Sequence, residues 1–131
     1  AIVSGTICQR GEFSIINKFK KAELLLKTKV DLVIELPSLL ANQGGYYFAY
    51  HALNILKEFN ITDLYFGSES NDLLNLKKKA KTISNHSFKE GIHNNLNTLK
   101  SNDILAINYL QVLNDLNLNI TSHLIKRIGN D

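Results

Sequence analysis

The stretch Asp31-Leu32-Val33-Ile34-Glu35-Leu36, closed by Pro37, constrains the fold more than any other part of the chain. A short, nearly continuous apolar run of this kind is the signature of a strand covered on both faces, as in a parallel sheet with helices on either side. Asp63-Leu64-Tyr65-Phe66 before Gly67 repeats the pattern, Ala1-Ile2-Val3 before Ser4-Gly5 is a shorter version, and Ser122–Ile128 reads as a last strand. The intervals carry helical periodicity. Asn17 is placed to cap a helix over 18–29 with Ala22, Leu25 and Leu26 inward and lysines on the other face. Tyr46–Phe59 is a second amphipathic helix with Phe48, Ala52, Ile55 and Leu56 inward. Asn71–Thr82 reads as a polar helix, 86–100 as an asparagine-rich one, and Ser101–Leu116 as a third, ended by a turn at Asn117–Asn119; 6–16 and 38–44 read as loops. Strands alternating with helices predict right-handed crossovers and an α/β, Rossmann-like parallel sheet with helices on both faces. Residues 1–131 then form a single domain. Ala1-Ile2-Val3-Ser4 reads as a strand already under way, so the expectation is a segment of a longer protein, incomplete at both ends.

Composition narrows the function classes. With 44% hydrophobic and 21% charged residues the chain has the balance of a globular protein. No apolar run approaches the roughly 18 residues of a membrane span, and no secretory leader is visible. The single Cys8 excludes an internal disulfide framework and fits a reducing cytoplasm. The four histidines, 51, 86, 93 and 123, have no metal-ligand spacing. A net charge of +3 permits a nucleotide or nucleic-acid partner without demanding one.

In an open parallel sheet, ligands bind beyond the carboxyl ends of the strands. That directs attention to Ser4-Gly5, Glu35-Leu36-Pro37, Gly67-Ser68-Glu69-Ser70 and Arg127-Ile128-Gly129. A glycine ending a strand lets a flat ligand approach the backbone, and hydroxyls before a helix N-terminus can hold an anion; the same residues also make an ordinary turn and cap. No GxxxxGK[ST] phosphate loop occurs. Ser101-Asn102-Asp103 opens a helix, either as a plain cap or with Asn102 bonded to a ribose or base. Arg127 is one of only two arginines. Its fork matches phosphate geometry, and it equally suits a surface ion pair. Lys77, Lys78, Lys79 and Lys81 read as a solvated helix face or as a contact to RNA phosphates. Tyr46-Tyr47-Phe48 with Tyr50 reads as core packing or a stacking surface. Glu35 and Glu69 both end strands, and spacing alone does not say whether they pair.

Together these stretches resemble the tRNA(Met) cytidine acetate ligase family. Ser4-Gly5 followed by Gln9-Arg10-Gly11-Glu12 is similar to that family's SGNFxQRGEPA segment, and Ile16-Asn17-Lys18-Phe19 with Ala22 to IDKWTRA. Asp31–Pro37 matches DLVIELP, Gln43 with Tyr47-Phe48-Ala49 resembles SVQSAxYFA, and Phe66–Ser70 matches FGSES. Ser101–Leu105 with Tyr109-Leu110 resembles NNILxIEYL, and Ile125–Gly129 matches the closing segment. The likeness runs in order along nearly the whole chain and is weakest over 75–100. It implies a nucleotidyltransferase-like fold of the HUP type. It also implies an ATP-dependent ligase, with Mg2+ as a possible companion of the ATP, that activates acetate and acetylates N4 of the wobble cytidine of elongator tRNA(Met). By the same resemblance Gly67 contacts the base or ribose, Asn102 and Arg127 contact ATP, and Ser4 and Gly5 lie close by; the catalytic residues are left unassigned. The family's HxGH-type phosphate-binding stretch does not occur in this chain and would precede Ala1. Phe19, Lys20, Lys21 and Asn17 stand where the family has Trp, Thr, Arg and Asp, and Asn108 where it has Glu. Asp103 replaces the second Asn of its NN pair, setting a negative group beside Asn102. The rival readings are a non-catalytic nucleotide- or RNA-binding module and another adenylyl-transferring enzyme of the same fold.

Overall fold

The computed structural model describes residues 1–82 and 99–128. They pack as two compact units, Ala1–Leu56 and Lys57–Asp131.

In the first unit β1 (Ile2–Ser4) pairs in parallel with β2 (Ile34–Leu36), Ile2 opposite Ile34 and Ser4 opposite Leu36. The crossover between them carries α1 (Lys18–Leu26). Asn17 caps it as expected, its Oδ1 accepting the Lys20 N–H at 2.8 Å. The helix stops at Leu26 rather than 29, and Lys29 adopts a left-handed φ of 66°. Its inner stripe also differs from the expected one. Lys18, Lys21, Ala22 and Leu25 are half-buried, while Leu26 is 50% exposed. Lys21 turns inward because its ammonium finds backbone acceptors, Ser4 O at 2.9 Å and Gly5 O at 3.5 Å. The segment between β1 and α1 folds back on itself, with Ile7 bridged to Phe13 and Gly11 at φ 80°, a conformation open to glycine at little cost.

β2 is shorter than the apolar run that predicts it. Leu36 is buried, whereas Leu32, which precedes the strand, is 51% exposed. After Pro37 comes a short helix, α2 (Ser38–Ala41), where a loop is expected. α3 (Gly45–Leu56) follows, burying Ala49, Ala52, Leu53 and Leu56. That is an i, i+3, i+4, i+7 stripe. Of the expected inner residues Ala52 and Leu56 are buried, whereas Phe48 and Ile55 are only half-buried.

The second unit opens with a 3-10 turn at Lys57–Phe59. β3 (Asp63–Ser68) then pairs in parallel with β4 (Thr121–Lys126), in register from Asp63 opposite Thr121 to Ser68 opposite Lys126. Along β3 burial alternates: Leu64, Phe66 and Ser68 are buried, and Tyr65 is 61% exposed. Tyr65 thus lies on the face opposite that of Leu64, Phe66 and Ser68. α4 (Leu73–Thr82) starts at Asp72, whose Oδ1 accepts the Asn75 N–H at 3.0 Å, and it buries Leu76 and Ala80. α5 (Ser101–Asp115) packs against both α4 and β3. Phe66 stacks on Tyr109 with ring centroids 5.3 Å apart, and burial pushes the Tyr109 hydroxyl up to about 12. The expected helix at 86–100 falls almost wholly outside the described residues. The architecture is α/β with parallel strand pairs, as the alternation predicts, and no described helix is long and apolar enough to cross a membrane.

Candidate functional site

The carboxyl ends of β3 and β4 bring Gly67 and Arg127 together, and Asn102 is tied to the same loop through Glu69. Strand alternation puts Gly67 on the open face of the strand pair, beside Tyr65 and opposite Ile125. The backbone of Arg127 is fixed by its N–H, which donates to Ser68 O at 3.0 Å. Its aliphatic stem runs past Gly67. A methyl group added at Gly67 would meet only Arg127 Cγ at 3.5 Å and Cδ at 3.6 Å, which are ordinary contacts. Neither backbone strain nor crowding therefore requires a glycine here. What it provides is a strand end with no side chain on its open face, flanked by a guanidinium.

One residue on, the chain turns to the other face. Ser68 is wholly buried, and its hydroxyl donates to Asp103 Oδ1 at 2.5 Å and accepts the Asn71 N–H at 2.9 Å. Asp103 Oδ1 also accepts the Glu69 N–H at 3.1 Å, and the Ser70 N–H is shared between its two oxygens at 3.2 and 3.1 Å. The reverse set of bonds runs from α5 to Glu69. Glu69 Oε2 accepts the Asp103 N–H at 3.0 Å, and Oε1 accepts the Asn102 N–H at 3.3 Å and Asn102 Nδ2 at 2.5 Å. The strand-end loop and the start of α5 thus cap each other. Ser101 is not the helix cap: that position is Lys100, whose side chain makes no cap bond, so the free amides of the first turn take their acceptor from Glu69. The negative group that the sequence sets beside Asn102 is turned away from the surface, because Asp103 is 3% exposed and committed to Ser68, Glu69 and Ser70. Sequence reasoning missed this clamp. The available signal was a buried-strand serine followed by Glu, with an acidic residue in the first turn of a later helix.

Ser4 and Gly5 end β1 in the first unit. Their carbonyls hold Lys21, and a Cβ at Gly5 would meet the Glu35 carboxylate, the end of a flexible side chain that would have to move aside. Glu35 in turn pairs with Lys18 at 2.8 Å. With Val3, Phe19, Ala22 and Val33 these residues line a hollow of about 170 Å³. Glu35 and Glu69 have separate partners, each within its own unit.

The open face of β3 and β4 carries one more polar cluster, at its amino end. Tyr65 stacks on His123 at 4.4 Å, and His123 Nε2 lies 2.7 Å from Asp63 Oδ1. The Thr62 hydroxyl and then His123 hold the Asp63 carboxyl below its ordinary 3.8. A depressed carboxyl contributes stability above its unfolded pKa and loses it as pH falls through the folded one. His123→Ala is expected to move the Asp63 midpoint, read by NMR, back toward 3.8 without restoring it fully, since Thr62 remains.

Comparison with known proteins places the chain in a family. The family model described as HIGH Nucleotidyl Transferase matches residues 1–100. The chain is 36% identical to the tRNA(Met) cytidine acetate ligase of Fervidobacterium nodosum, covering 100% of this chain and 37% of that protein. It is 38% identical to the protein of the same name from Thermosipho melanesiensis, over 98% of this chain and 37% of the relative. Among solved structures, Thermotoga maritima TmcAL bound with α-thio ATP superposes with a TM-score of 0.83 at 32% identity, covering 98% of this chain and 39% of that one. The chain therefore spans under two-fifths of the length of these relatives.

Proposed function

Because the chain belongs to the HIGH nucleotidyl transferase family, we propose that residues 1–131 form part of one nucleotide-binding domain of a cytoplasmic, ATP-dependent ligase acting on elongator tRNA(Met). In this reading an acetate oxygen attacks the α-phosphorus of ATP and pyrophosphate leaves. The N4 amine of the wobble cytidine then attacks the acetyl carbonyl, AMP leaves and the amine loses a proton. Such chemistry asks the protein mainly to hold the triphosphate in line and to neutralise developing charge.

The observation that carries the reading is the bare strand end at Gly67 beside the Arg127 guanidinium. Gly67 gives a nucleoside room against backbone, and Arg127 supplies a fork for phosphate oxygens. Asn102 is assigned to the nucleoside, with Ser4 and Gly5 as a second strand end of the same domain. Mg2+ is not assigned to protein carboxylates at the β3–β4 end. Glu69 and Asp103 there are already taken up by amide and hydroxyl donors, and no step is routed through the ion. Lys77, Lys78 and Lys81 are exposed on α4 and are proposed, with Lys79, to face the tRNA backbone.

The test is ATP consumption by the full protein with acetate and tRNA(Met) supplied separately and together. Acetate-dependent exchange of pyrophosphate into ATP, followed by tRNA-dependent release of AMP, is expected. ATP turnover indifferent to both would reject the assignment. Binding without turnover would favour a non-catalytic module, and exchange driven by another carboxylate would favour a different adenylyl-transferring enzyme.

A further inference from the structure

The contact between Glu69 and Asn102 fixes more than the start of a helix. A carboxylate can only accept, so the Asn102 group 2.5 Å from Glu69 Oε1 is the amide nitrogen. With Nδ2 held there, Oδ1 lies on the far side of the carboxamide. It has no hydrogen-bond partner among the described residues, and Asn102 is only half-buried. Glu69 is itself held in place, because both its oxygens accept backbone N–H groups of α5 and its own N–H donates to Asp103. An asparagine in water rotates freely and offers either a donor or an acceptor. This one is committed to offering an acceptor.

We propose that Glu69 is a positioning residue that makes Asn102 an obligate acceptor, so that Asn102 selects for a neutral hydrogen-bond donor on the nucleoside part of the bound nucleotide. The inference rests on the nucleotide-binding reading above. An adenosine nucleotide has two kinds of neutral donor, the exocyclic 6-amine and the ribose hydroxyls, and a site of this polarity turns away a nucleoside that presents an acceptor at the same place. Rejection is the stronger effect, since two facing acceptors leave both unpaired.

The test measures binding of ATP, inosine triphosphate, 2′-deoxy-ATP and 3′-deoxy-ATP to the full protein by calorimetry. The first analogue replaces the amine by a carbonyl, and the other two each remove one hydroxyl. One of the three is expected to bind the unaltered protein roughly tenfold more weakly than ATP, the scale of one neutral hydrogen bond. Asn102→Ala should lower ATP to the affinity of that analogue and abolish the difference between them. Glu69→Ala should shrink the same ratio toward one, and Glu69→Gln, whose carbonyl still accepts from Asn102, should restore most of it. A purely structural Glu69 would lower the melting temperature and leave the ratio unmoved. An unmoved ratio in Glu69→Ala, or equal affinity of all four nucleotides for the unaltered protein, overturns the proposal. If Glu69→Ala fails to fold, the ratio in Glu69→Gln and Asn102→Ala decides: retained discrimination in Asn102→Ala overturns it. Failure of the unaltered protein to bind ATP at all is a different result, which removes the nucleotide reading itself.

Discussion

Asp103→Ala is expected to destabilise the second unit by about 3 kcal/mol, while Asp103→Asn costs less than about 1 kcal/mol. The difference follows from which oxygen does the accepting. Asp103 Oδ1 takes the Ser68 hydroxyl, the Glu69 N–H and part of the Ser70 N–H, whereas Oδ2 takes only the remainder of the Ser70 bond. Asparagine keeps the first oxygen and gives up the lesser one. Alanine removes both and strands three donors, one of them the hydroxyl of the wholly buried Ser68. Each unpaired buried donor costs about 1–3 kcal/mol, partly recovered by water entering at the half-exposed Glu69 side. Native-state hydrogen exchange of the β3 and α5 amides reads the effect locally, which suits a chain of two compact units better than a single melting curve. Equal exchange in the Ala and Asn variants would mean that the clamp does not hold this end of the unit together. The same geometry explains how Asp103 can occupy a position where the resembling family carries Asn: one retained acceptor oxygen does most of the binding.

What was readable from the chain divides along physical lines. Strand positions were readable at β2 and β3 because both lie in short apolar runs ended by a turn residue; β4, Thr121–Lys126, has only Leu124 and Ile125 as apolar residues and was placed by the strand–helix alternation. Asn17 was readable as a cap because a cap is a local bond. Helix faces were less so. Lys21 reads as a solvent residue by composition, yet it is drawn inward by the carbonyls of Ser4 and Gly5, which lie 17 and 16 residues away. An apolar run reports that a strand dislikes water, not which of its residues stay accessible: Tyr65 lies inside the β3 run and is 61% exposed. At the candidate site, Gly67 and Arg127 were singled out by a rule about strand ends, and they do meet there. The Glu69–Asp103 clamp was not, since its partners are 34 residues apart in sequence and adjacent only after α5 packs on β3. Asn102 was singled out at a helix start, but that its amide nitrogen is committed to Glu69 needed the fold.

Gly67→Val and Arg127→Ala should each weaken ATP binding by about tenfold to a hundredfold, and they should do so in separable ways. At Gly67 the fold has room for the new side chain, because its Cβ meets only the Arg127 stem at 3.5 and 3.6 Å and valine suits a strand. The melting temperature should therefore hold while the bare strand end fills. A nucleoside excluded from that end is excluded whatever phosphates it carries, so adenosine and ATP should lose affinity together, and the loss should be insensitive to salt. Arg127 acts on charge. Its removal should leave adenosine binding nearly unchanged, weaken ATP, and flatten the dependence of ATP affinity on ionic strength. Its backbone bond to Ser68 O survives the substitution, so β4 should keep its register. Calorimetric titration of both ligands at two salt concentrations gives all the needed comparisons. Full ATP affinity in Gly67→Val would show that the nucleoside does not sit on this strand end. A parallel loss of adenosine and ATP in Arg127→Ala would show that the arginine supports the nucleoside pocket rather than the phosphates.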